Sequence, residues 1–235
     1  MKKLHITKKP PRFDFNTGTL MRVTVIFFAL VSLCSCMGVN ADITVRGDGS
    51  GKMILEYRVS RMAEALGRLD GNERWQTVPL GRADFERTMT RLPNLRLVSF
   101  SSKSDDKDII NKAELEFQNI EDLLAFFDPA AEGKYASFAG ENGRNRLSLL
   151  LWEGAPEIDA DLLSLIQETS AGYAISFSLS VPGTASLALT DKEGRSAAAP
   201  PEKSVLISPG KKVSLSVDTA ELFAVSGGLG MEFEW

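Results

Sequence analysis

The two cysteines of this 235-residue chain, Cys34 and Cys36, stand one residue apart near the N-terminus, and its single histidine is His5. Whatever folds beyond Cys36 must do so without a disulfide and without thiolate or imidazole metal ligands, so it depends on apolar packing alone. The same absence excludes whole classes of chemistry. Neither a Ser-His-Asp nor a Cys-His nucleophile can be assembled after Cys36, which leaves carboxylates, lysines and hydroxyls.

Both cysteines close an apolar run. Residues 23–33, VTVIFFALVSL, follow a lone Arg22 and are interrupted only by Thr24 and Ser32. A spanning helix needs about 20 apolar residues, and this run is shorter, which is the grammar of an export signal. Leu33-Cys34-Ser35-Cys36 resembles the bacterial lipobox, with an aliphatic residue three before the cysteine and a small residue directly before it. The resemblance implies cleavage between Ser35 and Cys36 and acylation of Cys36. Cys34 is the runner-up, weakened by Leu33 at the position where a small residue is wanted. The alternative is a permanent N-terminal membrane helix carrying both cysteines. A Cys34–Cys36 disulfide is disfavoured by bridge geometry. Because stable anchoring needs more than one acyl chain, the diacyl or triacyl form that a lipobox implies suits a membrane tether. Residues 1–20 hold five basic residues and Pro10-Pro11 without periodicity. They are either a long basic leader or untranslated, with Met21-Arg22 the true start. The expected organisation is a signal peptide over residues 1–35 and one domain over 36–235.

Loss of residues 1–35 removes six basic residues and one acid, leaving 21 against 30, so the net charge moves from −4 to −9. No basic stripe remains for phosphate contacts, which argues against a nucleic-acid partner. It argues equally against a polybasic attachment to anionic lipid.

Within the domain, periodicity locates the elements. Residues 43–46 and 52–59 alternate around Gly47-Asp48-Gly49-Ser50-Gly51, the pattern of a hairpin. Arg46-Gly47-Asp48 is an RGD tripeptide at that tip, but three residues match by chance often, and a plain turn is the favoured reading. Gly49-Ser50-Gly51-Lys52 is not a phosphate loop, because Met53 stands where Ser or Thr would hold the metal. Ser60 can cap a helix with Met62, Leu66 and Leu69 on one face, and residues 83–92 predict a second, with Phe85, Met89 and Leu92 together. Runs at 95–101 and 110–117 predict a second hairpin around an acidic turn. Asp105, Asp106 and Asp108 lack calcium-loop spacing and read as a solvated turn. Asn119 with Asp122 suggests a capped helix to Phe127. Residues 128–145 are turn-rich, with Tyr135 and Phe138 the large side chains, and form the candidate mobile loop. Residues 147–152 read as a strand buried on both faces, and Pro156 and Asp159 open a helix to Thr169, with Ile158 placed to staple against Leu163. Tyr173, Ile175, Phe177, Leu179 and Val181 share one face of the clearest strand, with Ala174 and three serines opposite and Pro182-Gly183 at its end. Short strands at 185–189, 205–207 and 213–217, a helix near 220–225 and a strand at 231–235 complete an α+β domain, with a largely antiparallel sheet packed against several short helices.

The Gly-Asp-Gly-Ser-Gly hairpin soon after Cys36, the 95–117 hairpin with its Leu123-Leu124 helix, and the long strand ending in Val181-Pro182-Gly183 with a terminal Trp235 resemble the LppM-type domain of bacterial envelope lipoproteins. The resemblance spans roughly residues 41–235 and rests on pattern, not on a catalytic motif. It departs from the family where a membrane helix often follows the domain, which would leave the N-terminal lipid as the only anchor. It implies a non-enzymatic domain tethered to the cell membrane and facing outward or periplasmic, without a cofactor, and a lipid or other amphiphile as ligand. Met37 after the cysteine, in place of Asp, points to the outer membrane where one exists. Two competing readings are a scaffold lipoprotein that contacts an envelope protein and a carboxylate-dependent hydrolase. The hydrolase would need two acids across a cleft, and no convergent motif supplies them. For Tyr57, Phe100, Phe117 and Phe177 the simplest role is to fill a core.

Overall fold

A computed structural model describes residues 37–61, 81–128, 133–141, 143–154, 160–197 and 200–235. Among these residues a mixed, mostly antiparallel sheet of ten strands curls around one core and carries four short helices. The strands are β1 (Met37–Val45), β2 (Gly51–Ser60), β3 (Leu95–Ser104), β4 (Asp108–Phe117), β5 (Ala136–Glu141), β6 (Arg144–Trp152), β7 (Ala174–Thr190), β8 (Ser204–Ile207), β9 (Gly210–Asp218) and β10 (Leu229–Glu234). The helices are α1 (Arg82–Arg91), α2 (Ile120–Phe127), α3 (Ala160–Thr169) and α4 (Thr219–Phe223). The α+β class expected from the sequence is the class observed. The helix foreseen at Met62, Leu66 and Leu69 and the Ile158 staple lie outside the described residues.

The molecule is organised around β7. Its first half lies between β1, which runs parallel to it, and β9, with Phe177 opposite Ala41 on one side and Leu215 on the other. Its second half pairs with β10, which leads on to β6 and β5. The sequence reading ended this strand at Pro182-Gly183, and the structure corrects that. The chain continues to Thr190, and the pairing with β9 shifts register between Ser180 and Ala185. Proline donates no ladder hydrogen bond, so the dipeptide sits where the strand changes partners and bends instead of stopping.

Alternation then fills one interior. Ala41, Ile43, Met53, Leu55, Leu115, Phe177, Leu179, Val213 and Leu215 meet Leu147, Met231 and Phe233 from the other end of the sheet in a single buried cluster. Full burial of such side chains is worth roughly 1.5–3 kcal/mol each. α1 closes one flank, with the Phe85 ring 6.4 Å from Tyr57 and 5.7 Å from Phe100. α2 closes another, with Phe127 6.1 Å from Phe177. The core-filling role thus holds for Tyr57, Phe117 and Phe177, all buried, while Phe100 is half-buried. α3 and α4 form a small satellite cluster through Ile166 and Phe223, tied to β6 by the Trp152 ring 5.0 Å from Phe223.

Three further expectations change. β1 begins at Met37, six residues before the alternation detectable in sequence, and pairs with β2 along its whole length. The candidate mobile loop at 128–145 contains β5, whose Ala136, Ser137 and Phe138 pair with Leu149, Ser148 and Leu147. Pairing with an apolar neighbour overrides the glycine-rich composition there. In β6, Leu147 and Leu149 are buried whereas Ser148 and residues 150–152 are half-buried, so that strand is covered mainly on one face.

Candidate functional site

The tip of the β1–β2 hairpin is built for a tight reversal. Gly49 takes a positive φ of 83°. A Cβ on Gly51 would stand 2.1 Å from the Thr44 carbonyl oxygen and 2.4 Å from the Phe117 ring, so no side chain fits there. The Asp48 carboxylate accepts from the Ser50 hydroxyl at 2.7 Å and from the Ser50 backbone N–H at 3.0 Å, and Arg46 donates to the same hydroxyl at 3.2 Å. The Ser50 hydroxyl, followed by its backbone N–H, holds the Asp48 carboxyl below the ordinary carboxylate range. The two charged groups of the RGD tripeptide are therefore engaged in the hairpin's own turn.

That turn forms one wall of a groove of about 450 Å³. Its apolar surfaces come from Val45, Ile120, Phe138, Pro182 and Trp235, and its polar rim from Arg46, Asp48, Glu121 and Asn145. Each wall has a local cause. The Asn119 side chain caps α2 by accepting from the Asp122 N–H at 2.9 Å, which brings Ile120 to the groove. Trp235 is fixed by reciprocal backbone hydrogen bonds with Asn145 at 2.8 and 3.0 Å, and its ring lies 6.0 Å from Phe138. Pro182-Gly183 enters because β7 bends there. An aromatic pair beside a polar rim can take a flat or branched apolar group and orient its polar end.

A second constellation lies at the other end of the sheet. Asp108 is fully buried. It accepts from Arg58 Nε at 2.6 Å and from the Tyr173 hydroxyl at 2.5 Å, and the Arg58 guanidinium stands 5.6 Å from the centre of the Tyr173 ring. The hydrogen bond to Asp108 raises Arg58 above its usual value. This corrects the reading of a wholly solvated acidic turn, because Asp108 points inward while Asp105 caps the turn. Asp105 accepts the backbone N–H groups of Asp108 at 2.7 Å and Lys107 at 2.8 Å, and those two bonds lower its carboxyl. The acids are thus divided between turn and core, and no group of three or more metal-ligating side chains converges among the described residues.

Cys36, Cys34 and the Ser35–Cys36 junction lie outside the described residues. No described helix is long and apolar enough to cross a membrane. The sequence reading did not bring Phe138 and Trp235 together, nor Arg58, Asp108 and Tyr173. Its only signals were the isolated large side chain in a glycine-rich passage and the terminal tryptophan.

No protein-family model matches the chain, and no curated protein matches it. Among solved structures it is similar to the NMR structure of the folded domain of LppM from Mycobacterium tuberculosis, with 14% identity and a TM-score of 0.39 over 85% of this chain and 88% of that one.

Proposed function

We propose that the chain is a cell-envelope lipoprotein, acylated on Cys36 and cleaved before it, whose domain binds an amphiphile without catalysing a reaction. The anchor rests on the Leu33-Cys34-Ser35-Cys36 tetrad that closes a short apolar run, and the residue after it, Met37, is paired with Val59 in the sheet. Had cleavage fallen inside the domain, the pairing of Met37 with Val59 would be severed.

The groove at Phe138 and Trp235 is the binding site in this reading. It lies beyond the far end of β1, about 27 Å from Met37 at about 3.4 Å per residue. A ligand there arrives from the outward or periplasmic side, already out of its own bilayer or carried by another protein. That distance also favours the second reading, an envelope protein that docks its own side chain in the groove.

Native mass spectrometry of residues 37–235, purified without acyl chains, tests the ligand. A lipid-sized adduct that delipidation removes, and that Trp235→Ala abolishes, is the expected result. A clean mass with no uptake of added phospholipids or fatty acids excludes amphiphile binding and leaves the protein partner. Intact mass of the full chain after expression in a bacterium tests the anchor, since acylation of Cys36 adds a diacylglyceryl group.

A further inference from the structure

Strand β8 is an open edge, bonded to β9 and to no other strand among the described residues. Val205, Leu206 and Ile207 are 61%, 43% and 55% exposed. Single exposed aliphatic residues are ordinary, but an uninterrupted run of them on an edge strand is what soluble proteins avoid with charge, proline or a covering element. The run occupies both faces of the strand. Val205 and Ile207 lie opposite Ser216 and Ser214 on the outer face, and Leu206 lies opposite Leu215 on the inner one. Lys203, Lys211 and Lys212 are exposed beside it. Lys203 pairs with Glu221 at 3.0 Å and Lys212 with Asp42 at 2.6 Å.

Register fixes where this edge lies relative to the start of the domain. Leu206 is level with Leu215, Phe177 and Ala41, four residues along β1 from Met37. It is therefore about 13 Å up the strand axis and, three strand spacings away, about 14 Å to the side. We propose that the β8 edge is a second membrane contact, with Val205, Leu206 and Ile207 resting in the headgroup region of the bilayer that holds the chain and Lys211 directed at lipid phosphate. This rests on the anchored reading above. With no spacer between Cys36 and β1, the domain cannot stand off the surface, and a tilt of roughly 45° brings Leu206 to the bilayer plane. Exposed aliphatic side chains are the chemistry of an interfacial contact, and because Lys203 and Lys212 are paired with carboxylates the edge adds one lysine to it, not a polybasic attachment. At headgroup depth, water still satisfies the open backbone edge, which the hydrocarbon core would not permit.

The test uses the full chain reconstituted in vesicles of phosphatidylethanolamine and phosphatidylglycerol. Acylation occupies Cys36 and cleavage removes Cys34, so Leu206→Cys carries one thiol for an environment-sensitive fluorophore. Ala139→Cys, exposed on β5 and outside the groove lining, is the control. The expected result is that the probe at 206 shifts to the blue on vesicles and is quenched by nitroxide-headgroup lipid at least about threefold more than the probe at 139, as interfacial burial requires. Adding Val205→Ser and Ile207→Ser should remove most of that difference. Equal iodide quenching at both positions on vesicles overturns the proposal. So does a Leu206→Cys chain that forms disulfide-linked dimers and is shielded without lipid, which would identify a second copy as the occupant. Intact mass of the same sample reports acylation separately. If Cys36 proves unacylated, the anchor reading falls, and this proposal, which rests on it, falls with it.

Discussion

At the scale of single residues, the Arg58, Asp108 and Tyr173 cluster is asymmetric. Asp108 has no exposed surface, whereas the Arg58 side chain is 45% exposed. Removing the arginine charge leaves a buried carboxylate that keeps the Tyr173 hydroxyl but loses its ion pair, and breaking a buried pair in that direction is the costly one. Removing the carboxylate instead returns Arg58 to water. Arg58→Met should therefore destabilise the fold by about 2–3 kcal/mol, Tyr173→Phe by about 1–2, and Asp108→Asn by less than Arg58→Met. Urea unfolding of the three variants ranks them. If Asp108→Asn proved the most damaging, the cluster would be acting through something other than charge burial.

Elements show which physical signals a sequence carries. α2 was readable because its signal is local: Asn119 and Asp122 lie within one turn, and the side chain of one does accept the N–H of the other. Asn119→Ala should cost about 1 kcal/mol by thermal unfolding. It should also loosen the Ile120 wall of the groove, so weaker uptake of any ligand found there is expected alongside the lower melting temperature. No change in either would mean that packing of Leu123 and Phe127 holds the helix end alone. The alternation of β2, β4 and the first half of β7 was legible for the same local reason. β5 and the second half of β7 were not, because their pairing is decided by distant partners. Phe138 is held opposite Leu147 on β6, Leu187 is held opposite Phe233 on β10, and glycine and proline nearby gave the opposite local indication. The groove was illegible for a further reason: its walls are six separate stretches of chain that meet only after β7 has bent.

For the whole molecule, β7 makes one cooperative unit out of what would otherwise be two sheets. Its first half is bonded to β1 and β9 and its second half to β10, and side chains from both ends share a single core. Loss of packing at either end should therefore propagate through it. Phe233 on β10 is fully buried, paired with Leu187 of β7 and Leu147 of β6. Phe233→Ala should cost about 3–5 kcal/mol, and the cost should be felt by both halves together. In a Trp75→Phe background, Trp152 and Trp235 report on the β5–β6–β10 half by fluorescence, while far-ultraviolet circular dichroism reports on all the strands. The two urea transitions should coincide in the native chain and move together in Phe233→Ala. A fluorescence midpoint that falls while the dichroism midpoint stays would show the halves to be separable. The tilt inferred for the β8 edge would then no longer fix the position of the groove, because that argument requires the sheet from β8 through β7 to the Trp235 end to move as one body.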